Sequence, residues 1–189
     1  MYIIIRQSVV VTLFLALILC GAYPLLVTGV GQVLFPFQAN GSLVERAGQV
    51  VGSRLIGQQV SGPRYFHGRP SAAGKGYDAQ ASGGSNLGPT SAVLALRMEA
   101  EAARLRAENP GTGALPVDLL TASGSGLDPH VSPGAAAFQI ARIATVRGLK
   151  PERVAALVEG LVQQPELGIL GPARVNVLEL NLALDEMRP

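Results

Sequence analysis

The segment Ser123-Gly124-Ser125-Gly126-Leu127-Asp128-Pro129-His130 places two hydroxyls, a carboxylate and an imidazole within eight residues. These are the groups of a serine hydrolase, in which an imidazole stands between a nucleophilic hydroxyl and a carboxylate, each at hydrogen-bond distance. Such partners normally come from separate chain elements. The G-x-S-x-G elbow is also broken here, by Ser at position 123 and Leu at 127. No Lys follows the glycines, so the pattern of a phosphate loop fails too. The plainer reading is a strand-to-helix connection in which Gly124 and Gly126 take positive φ and Asp128 starts a turn before Pro129. A hydrolase built on Ser125, His130 and Asp128 is the competing reading.

A second segment, Gly83-Gly84-Ser85-Asn86-Leu87-Gly88-Pro89-Thr90, precedes a helical pattern. Its free N–H groups could face an anion or a partner's carbonyls. The plainer reading is a glycine-rich loop in which Asn86 bonds its own backbone. His67, beside Gly68-Arg69-Pro70, reads as a solvated or backbone-bonded loop histidine. Metal ligands are scarce: His67 and His130 are far apart in sequence, and Cys20 is the sole cysteine. No structural zinc site is expected, and no disulfide.

Several elements must position these groups. Thr90–Glu108 reads as a helix capped by Thr90 or Ser91, with Val93, Leu96, Ala100 and Ala103 on one face and Arg97-Glu101 and Arg104-Glu108 paired on another. Pro116 to Thr121 reads as a strand with Val117 and Leu119 on one side. Pro133 to Arg147 is a helix with Ser132 as its cap, closed by Gly148. Pro151 to Gln163 repeats that start, with Val154, Leu157, Val158 and Leu161 facing inward, and Val175 to Met187 makes a further helix through Val177, Leu180 and Leu184. Residues 44–55 are weakly helical, and Arg64-Tyr65-Phe66 is a strand candidate within a Gly-, Ser- and Pro-rich stretch from 57 to 89. A loop of that length in a compact domain is usually functional or disordered.

The amino-terminal region constrains the biology most. Arg6 is the only charged residue before Glu45. Val9 to Val27, taking in Leu13, Leu17, Cys20 and Pro24, supplies 19 apolar or uncharged residues, which at ~1.5 Å each nearly crosses a hydrocarbon core of ~30 Å. We read one membrane-spanning helix. A cleaved leader competes, but the apolar run exceeds the usual length and no small-x-small site follows it. Phe35 and Phe37, around Pro36, mark the exit from the lipid, and Asn40-Gly41 a turn. Arg6 before the span places the remainder outside the cytoplasm.

The expected class is α+β: an anchor over 1–30, a connector over 31–44, and a single mostly helical extracytoplasmic domain with a small sheet over 45–189. Setting Arg6 aside leaves 14 basic against 13 acidic residues. Without a basic stripe, nucleic acid is not an expected partner.

The ordered set Tyr65-Phe66-x-Gly68-Arg69-Pro70-Ser71, Tyr77-Asp78, Ser82 through Thr90, Pro116 through Pro133 and Arg174-Val175-Asn176-Val177-Leu178-Glu179-Leu180-Asn181 resembles the C subunit of the Kdp-type potassium-transporting ATPase. The likeness spans nearly the whole chain. Ser91 stands where the family usually has Asn, and Pro172 follows Gly171 where an acidic residue often intervenes. The resemblance implies a non-catalytic accessory subunit of the cell inner membrane. Its implied partners are a potassium-binding channel-like A subunit, an ATP-hydrolysing B subunit, a small F subunit and the lipid bilayer. It implies no tightly bound cofactor: K+ is the transported ion, and ATP enters through the catalytic subunit, whose ATP affinity the chain raises. Arg69, Asn86, Gly88, Thr90, Ser123, Ser125, Asp128, His130, Asn176 and Asn181 are then partner-contacting or loop-defining residues, and none is catalytic.

Overall fold

A computed structural model describes residues 1–187, which form two compact units divided between Val51 and Gly52. In the first unit one continuous helix runs from Tyr2 to Leu34, 33 residues with a mean hydropathy of 2.5 over its most apolar window. Its segments are α1 (Tyr2–Ala16), a π-helical turn over Leu17–Ala22, and α2 (Tyr23–Leu34). Pro24 explains the widened turn. It has no N–H for the carbonyl four residues back, and its ring crowds that carbonyl, so the helix loosens just before it. Accordingly the Tyr23 N–H reaches the Ile18 carbonyl, five residues back. Val9, Leu13, Leu17, Cys20, Pro24 and Val27 all lie on this helix, and none is buried within the chain. By length and composition it can cross a membrane.

After a short helix α3 (Pro36–Ala39), the chain forms a hairpin of β1 (Leu43–Arg46) and β2 (Gln49–Ser53). The expected helix over 44–55 is therefore wrong. Ala47 and Gly48 both take positive φ, 52° and 76°, the backbone of a two-residue hairpin turn whose twist matches that of its strands. Gly48 and Gly52 weaken a helix here by about 1 kcal/mol each.

In the second unit, Arg54 to Ser91 form neither helix nor strand. Arg64-Tyr65-Phe66 is thus not a strand. Phe66 is nevertheless fully buried, as is Ala73. Helix α4 (Ala92–Glu108) starts at Ser91, whose hydroxyl accepts from the Leu94 N–H at 3.4 Å. Its inward face is not the expected one: Leu105 is buried, while Val93 and Leu96 are 63% and 66% exposed. The expected pair of Arg104 with Glu108 forms, but Glu101 is bridged by Arg104 as well, in place of the expected Arg97. The expected strand over 116–121 is a single 3-10 turn, Val117–Leu119, which sends Leu119 into the core and leaves Val117 exposed.

The core gathers around α5 (Pro133–Arg147), which buries Ala135, Ala136, Phe138, Ile143 and Ala144. Ser132 caps it by accepting from the Ala135 N–H at 3.1 Å. Gly148 closes it at φ 67°, letting the Leu149 N–H reach the Ala144 carbonyl at 2.9 Å. That reversal lays α6 (Pro151–Gly160) against α5 through Val154 and Val158. The helix ends sooner than expected, because Val162–Gln163 becomes strand β4. β3 (His130–Val131), β5 (Arg174–Asn176) and β4 form a three-stranded antiparallel sheet with β5 in the middle, Val175 facing both Val131 and Val162. Asn176 then caps α7 (Val177–Glu186) by accepting from the Glu179 N–H, and Leu180 and Leu184 are fully buried. The class is α+β.

Candidate functional site: two glycine-rich segments stitched together

The irregular chain from 57 to 84 lies against the 121–130 segment. Gly57 N–H donates to the Leu127 carbonyl at 2.7 Å and Gly83 N–H to the Ser125 carbonyl at 2.8 Å. The Ser71 hydroxyl donates to the Gly126 carbonyl at 2.6 Å and in turn accepts from the Tyr77 N–H at 2.8 Å. These contacts need bare backbone. A Cβ on Gly126 would lie 2.6 Å from the Gly83 carbonyl, and one on Gly57 2.6 Å from that of Asp128. Gly126 has φ 68° as expected, whereas Gly124 does not take positive φ.

Arg69 is the side chain that spans the pair. Its guanidinium donates to the Thr121 and Ala122 carbonyls at 3.4 and 3.3 Å and to Asp128 Oδ2 at 3.3 Å. Asp128 Oδ1 accepts from the His130 N–H at 3.0 Å and faces His130 Nδ1 at 3.4 Å. Burial alone would raise the Asp128 carboxyl, but the bonds from His130 and the charge of Arg69 outweigh it and hold the group below its ordinary range. Tyr77, whose hydroxyl donates to the Arg69 carbonyl at 2.5 Å, is pushed upward by burial.

Ser125 takes no part in a triad. Its hydroxyl accepts from the Leu127 N–H at 3.1 Å and lies 3.4 Å from the Ser123 hydroxyl. Among the described residues no hydrogen bond joins it to His130, so the carboxylate–imidazole pair has no nucleophile attached. The hydrolase reading fails on this geometry. Asn86, Gly88 and Thr90 are exposed and stand outside the stitched pair, Asn86 at a positive φ of 51°.

Asn176 and Asn181 tie α7 to the irregular chain. Asn176 donates to the Arg54 carbonyl at 2.8 Å. Asn181 accepts from the Phe66 N–H at 2.8 Å and donates to the Phe66 carbonyl at 2.9 Å. Gln139 treats His67 in the same way, at 2.8 and 3.1 Å, and Arg142 links Gln139 to Asn109 and to the Pro63 carbonyl. Gln139 and Arg142 were not foreseen. Their signal was position: with Ala135 they fall at i, i+4 and i+7, on the face α5 turns inward. His67 Nε2 is 2.9 Å from the Gly62 carbonyl, the backbone-bonded histidine expected. Burial, and secondarily the Arg142 charge, lower its pKa.

A cleft of about 280 Å³ opens beside this network, lined by Ile56, Tyr65, Tyr77, Val177, Leu178 and Asp185 among others. Among the described residues no Lys or Arg lines it. A shallower groove of about 540 Å³ runs past Arg69, Asp128, His130 and Arg174. Among the described residues no three His, Cys, Asp or Glu side chains converge as a metal site.

An apolar helix long enough to span a bilayer precedes an α+β unit in which, among the described residues, the polar groups of Ser123 to His130 are engaged in bonds within the fold. The family described as K+-transporting ATPase, c chain, matches residues 5–186. A protein of Nitratidesulfovibrio vulgaris named "Potassium-transporting ATPase KdpC subunit" is 63% identical over 186 residues, covering 97% of this chain and 94% of its own. Proteins of the same name from Caulobacter vibrioides and Rhodopseudomonas palustris are 60% and 54% identical, covering 89% and 98% of this chain and 85% and 98% of their own. The chain belongs to the KdpC family.

Proposed function

We propose that this chain is the non-catalytic, membrane-anchored subunit of a potassium-transporting ATPase, with its folded unit on the extracytoplasmic side of the inner membrane. Residues 1–30 serve as the anchor, 31–44 as the connector and 45–189 as the domain. The observation carrying the reading is the family match over residues 5–186, joined to a segment in which Ser125 bonds the Leu127 N–H and stands apart from the Asp128–His130 pair. The sidedness rests on Arg6, which precedes an otherwise uncharged run to Val44.

In this reading the domain sits against the external face of the channel-like, potassium-binding chain and supports the assembly. It raises the ATP affinity of the catalytic chain indirectly, as a coupling free energy passed through the complex, since ATP is on the opposite side of the membrane. Arg69, Ser123, Ser125, Asp128, His130, Asn176 and Asn181 act by holding the domain's shape, and Asn86, Gly88 and Thr90 are exposed places for a partner to touch.

Affinity capture of the tagged full-length chain from membranes expressing the whole transporter tests the first part. Recovery of the potassium-binding and ATP-hydrolysing chains is expected, and recovery of the tagged chain alone defeats the proposal. Protease added outside intact spheroplasts tests the second: digestion of the domain is expected, and full protection reverses the orientation.

A further inference from the structure

The backbone hydrogen-bond ladder of the long apolar helix has a gap at its centre. In the π-helical turn over Leu17–Ala22 the Tyr23 N–H bonds the Ile18 carbonyl, five residues back. The Leu19 carbonyl thereby loses its regular donor four residues on, and the next donor in line would be Pro24, which has no N–H. Among the described residues no side chain donates to it either. Leu19 is 59% exposed, and a Cβ on Gly21 beside it would meet nothing within 4 Å, so the chain itself leaves the turn open. In water such an acceptor would simply be hydrated. Leu19 lies at the middle of Tyr2–Leu34, however, so in a bilayer roughly 15 Å of hydrocarbon separates it from either surface. A bare carbonyl at that depth is costly.

We infer that the Leu19 carbonyl is a docking point for a hydrogen-bond donor, a neutral hydroxyl or amide side chain, on a membrane-spanning helix of another chain of the same transporter. This rests on the function proposed above. Acyl chains offer no donor, and water is excluded at that depth. A second copy is poorly equipped: its run from Leu13 to Ala22 holds no hydroxyl or amide side chain, and the Cys20 thiol is a weak donor. Tyr23 of a second copy could serve only in a two-fold pair that set Leu19 and Tyr23 of both helices on the common axis, whereas helices close on one another in lipid through small residues. A charged donor is itself costly at the middle of the bilayer, which leaves hydroxyl or amide. Pro24 thus opens the ladder and fixes the height in the membrane at which the partner must present its donor.

The lone cysteine makes this carbonyl observable. In full-length chain carrying carbon-13 leucine carbonyls and nitrogen-15 cysteine, both labels meet only at the peptide bond from Leu19 to Cys20, so a solid-state NMR spectrum filtered through that pair reads the Leu19 carbonyl by itself. The labelled chain is placed in lipid vesicles alone and together with the unlabelled remaining chains of the transporter. The resonance should move downfield, as hydrogen-bonded carbonyls do, only when the other chains are present. A resonance that does not move overturns the inference. So does one that moves on raising the concentration of the labelled chain alone and is reset by Tyr23→Phe, which assigns the donor to a second copy. Pro24→Ala returns an N–H to the turn. It should give the downfield value in the chain alone and lower recovery of the partner chains about three- to twentyfold, the worth of one interhelical hydrogen bond; undiminished recovery overturns the docking point. Failure of the unaltered chain to associate with the others at all strikes instead at the proposed function.

Discussion

Asn181 on α7 grips Phe66, 115 residues away in sequence, through both backbone polar groups, accepting from its N–H at 2.8 Å and donating to its carbonyl at 2.9 Å. A side-chain amide here completes what a neighbouring strand would supply. Phe66 can therefore bury its ring completely within a segment that forms no sheet.

Asn181→Ala is expected to destabilise the chain by about 2–4 kcal/mol, because two buried backbone groups lose their partners together. Asn181→Asp should also be destabilising, since a carboxylate accepts from the N–H but cannot donate to the carbonyl. Urea unfolding of the detergent-solubilised full-length chain, followed by circular dichroism, provides the measurement.

The two glycines between Ser123 and Leu127 should respond in opposite ways. Gly126→Ala is expected to cost more than about 2 kcal/mol, from positive φ and from collision with the Gly83 carbonyl. Gly124→Ala meets nothing within 4 Å and should change stability by less than about 0.5 kcal/mol. Equal effects in thermal unfolding would contradict the stitched-loop geometry.

Asp128 should contribute to acid sensitivity. Its carboxyl is held below the ordinary 3.8, so the folded state releases that proton more readily than the unfolded one. Its stabilisation is present above the unfolded value and is lost as pH falls through the lower folded one. Below about pH 4 the unaltered chain should therefore lose stability more steeply than Asp128→Asn, read as midpoint against pH.

His67 works in a higher window. Its folded pKa lies below the ordinary 6.5, so the neutral ring is the form the fold accommodates, with Arg142 and Arg104 opposing protonation and Glu108 favouring it. Stability from this group is full above 6.5 and declines as pH drops through the folded value. His67→Gln should flatten the unfolding midpoint across that range, and an unchanged slope would assign it to other groups.

Ser125→Ala, Ser123→Ala and His130→Ala should leave no ester hydrolysis to lose, because none is expected beforehand. Stability should fall by about 0.5–1.5 kcal/mol for Ser125→Ala, whose hydroxyl accepts from the Leu127 N–H. Turnover of an activated ester by the purified chain, abolished by Ser125→Ala, would restore the hydrolase.

Helices with sharp local signals were readable from sequence. Ser132-Pro133 and Gly148 bound α5, Pro151 and Glu152 open α6, and Val177, Leu180 and Leu184 give α7 its buried stripe. Elements that depend on partners were not. Residues 116–121 alternate like a strand yet have no strand to pair with, and curl into a 3-10 turn over Asp118, whose carboxylate takes the Ser132 N–H at 2.7 Å. On α4 the apolar Val93 and Leu96 looked like the core face, but the network around Asn109, Arg142 and His67 turns Leu105 inward instead.

The sequence by itself determined the apolar helix, because a charge-free run is a property of the chain and not of its neighbours. It also determined the family likeness, which lies in ordered residues. Tertiary structure alone decided what Ser123 to His130 do. Hydroxyl, carboxylate and imidazole are chemically indifferent between catalysing and bracing until distance assigns their partners; here Arg69 takes the Asp128 carboxylate while Ser71 and Gly83, also brought from 40 or more residues away, hold the Gly126 and Ser125 carbonyls, and the segment is committed to bracing.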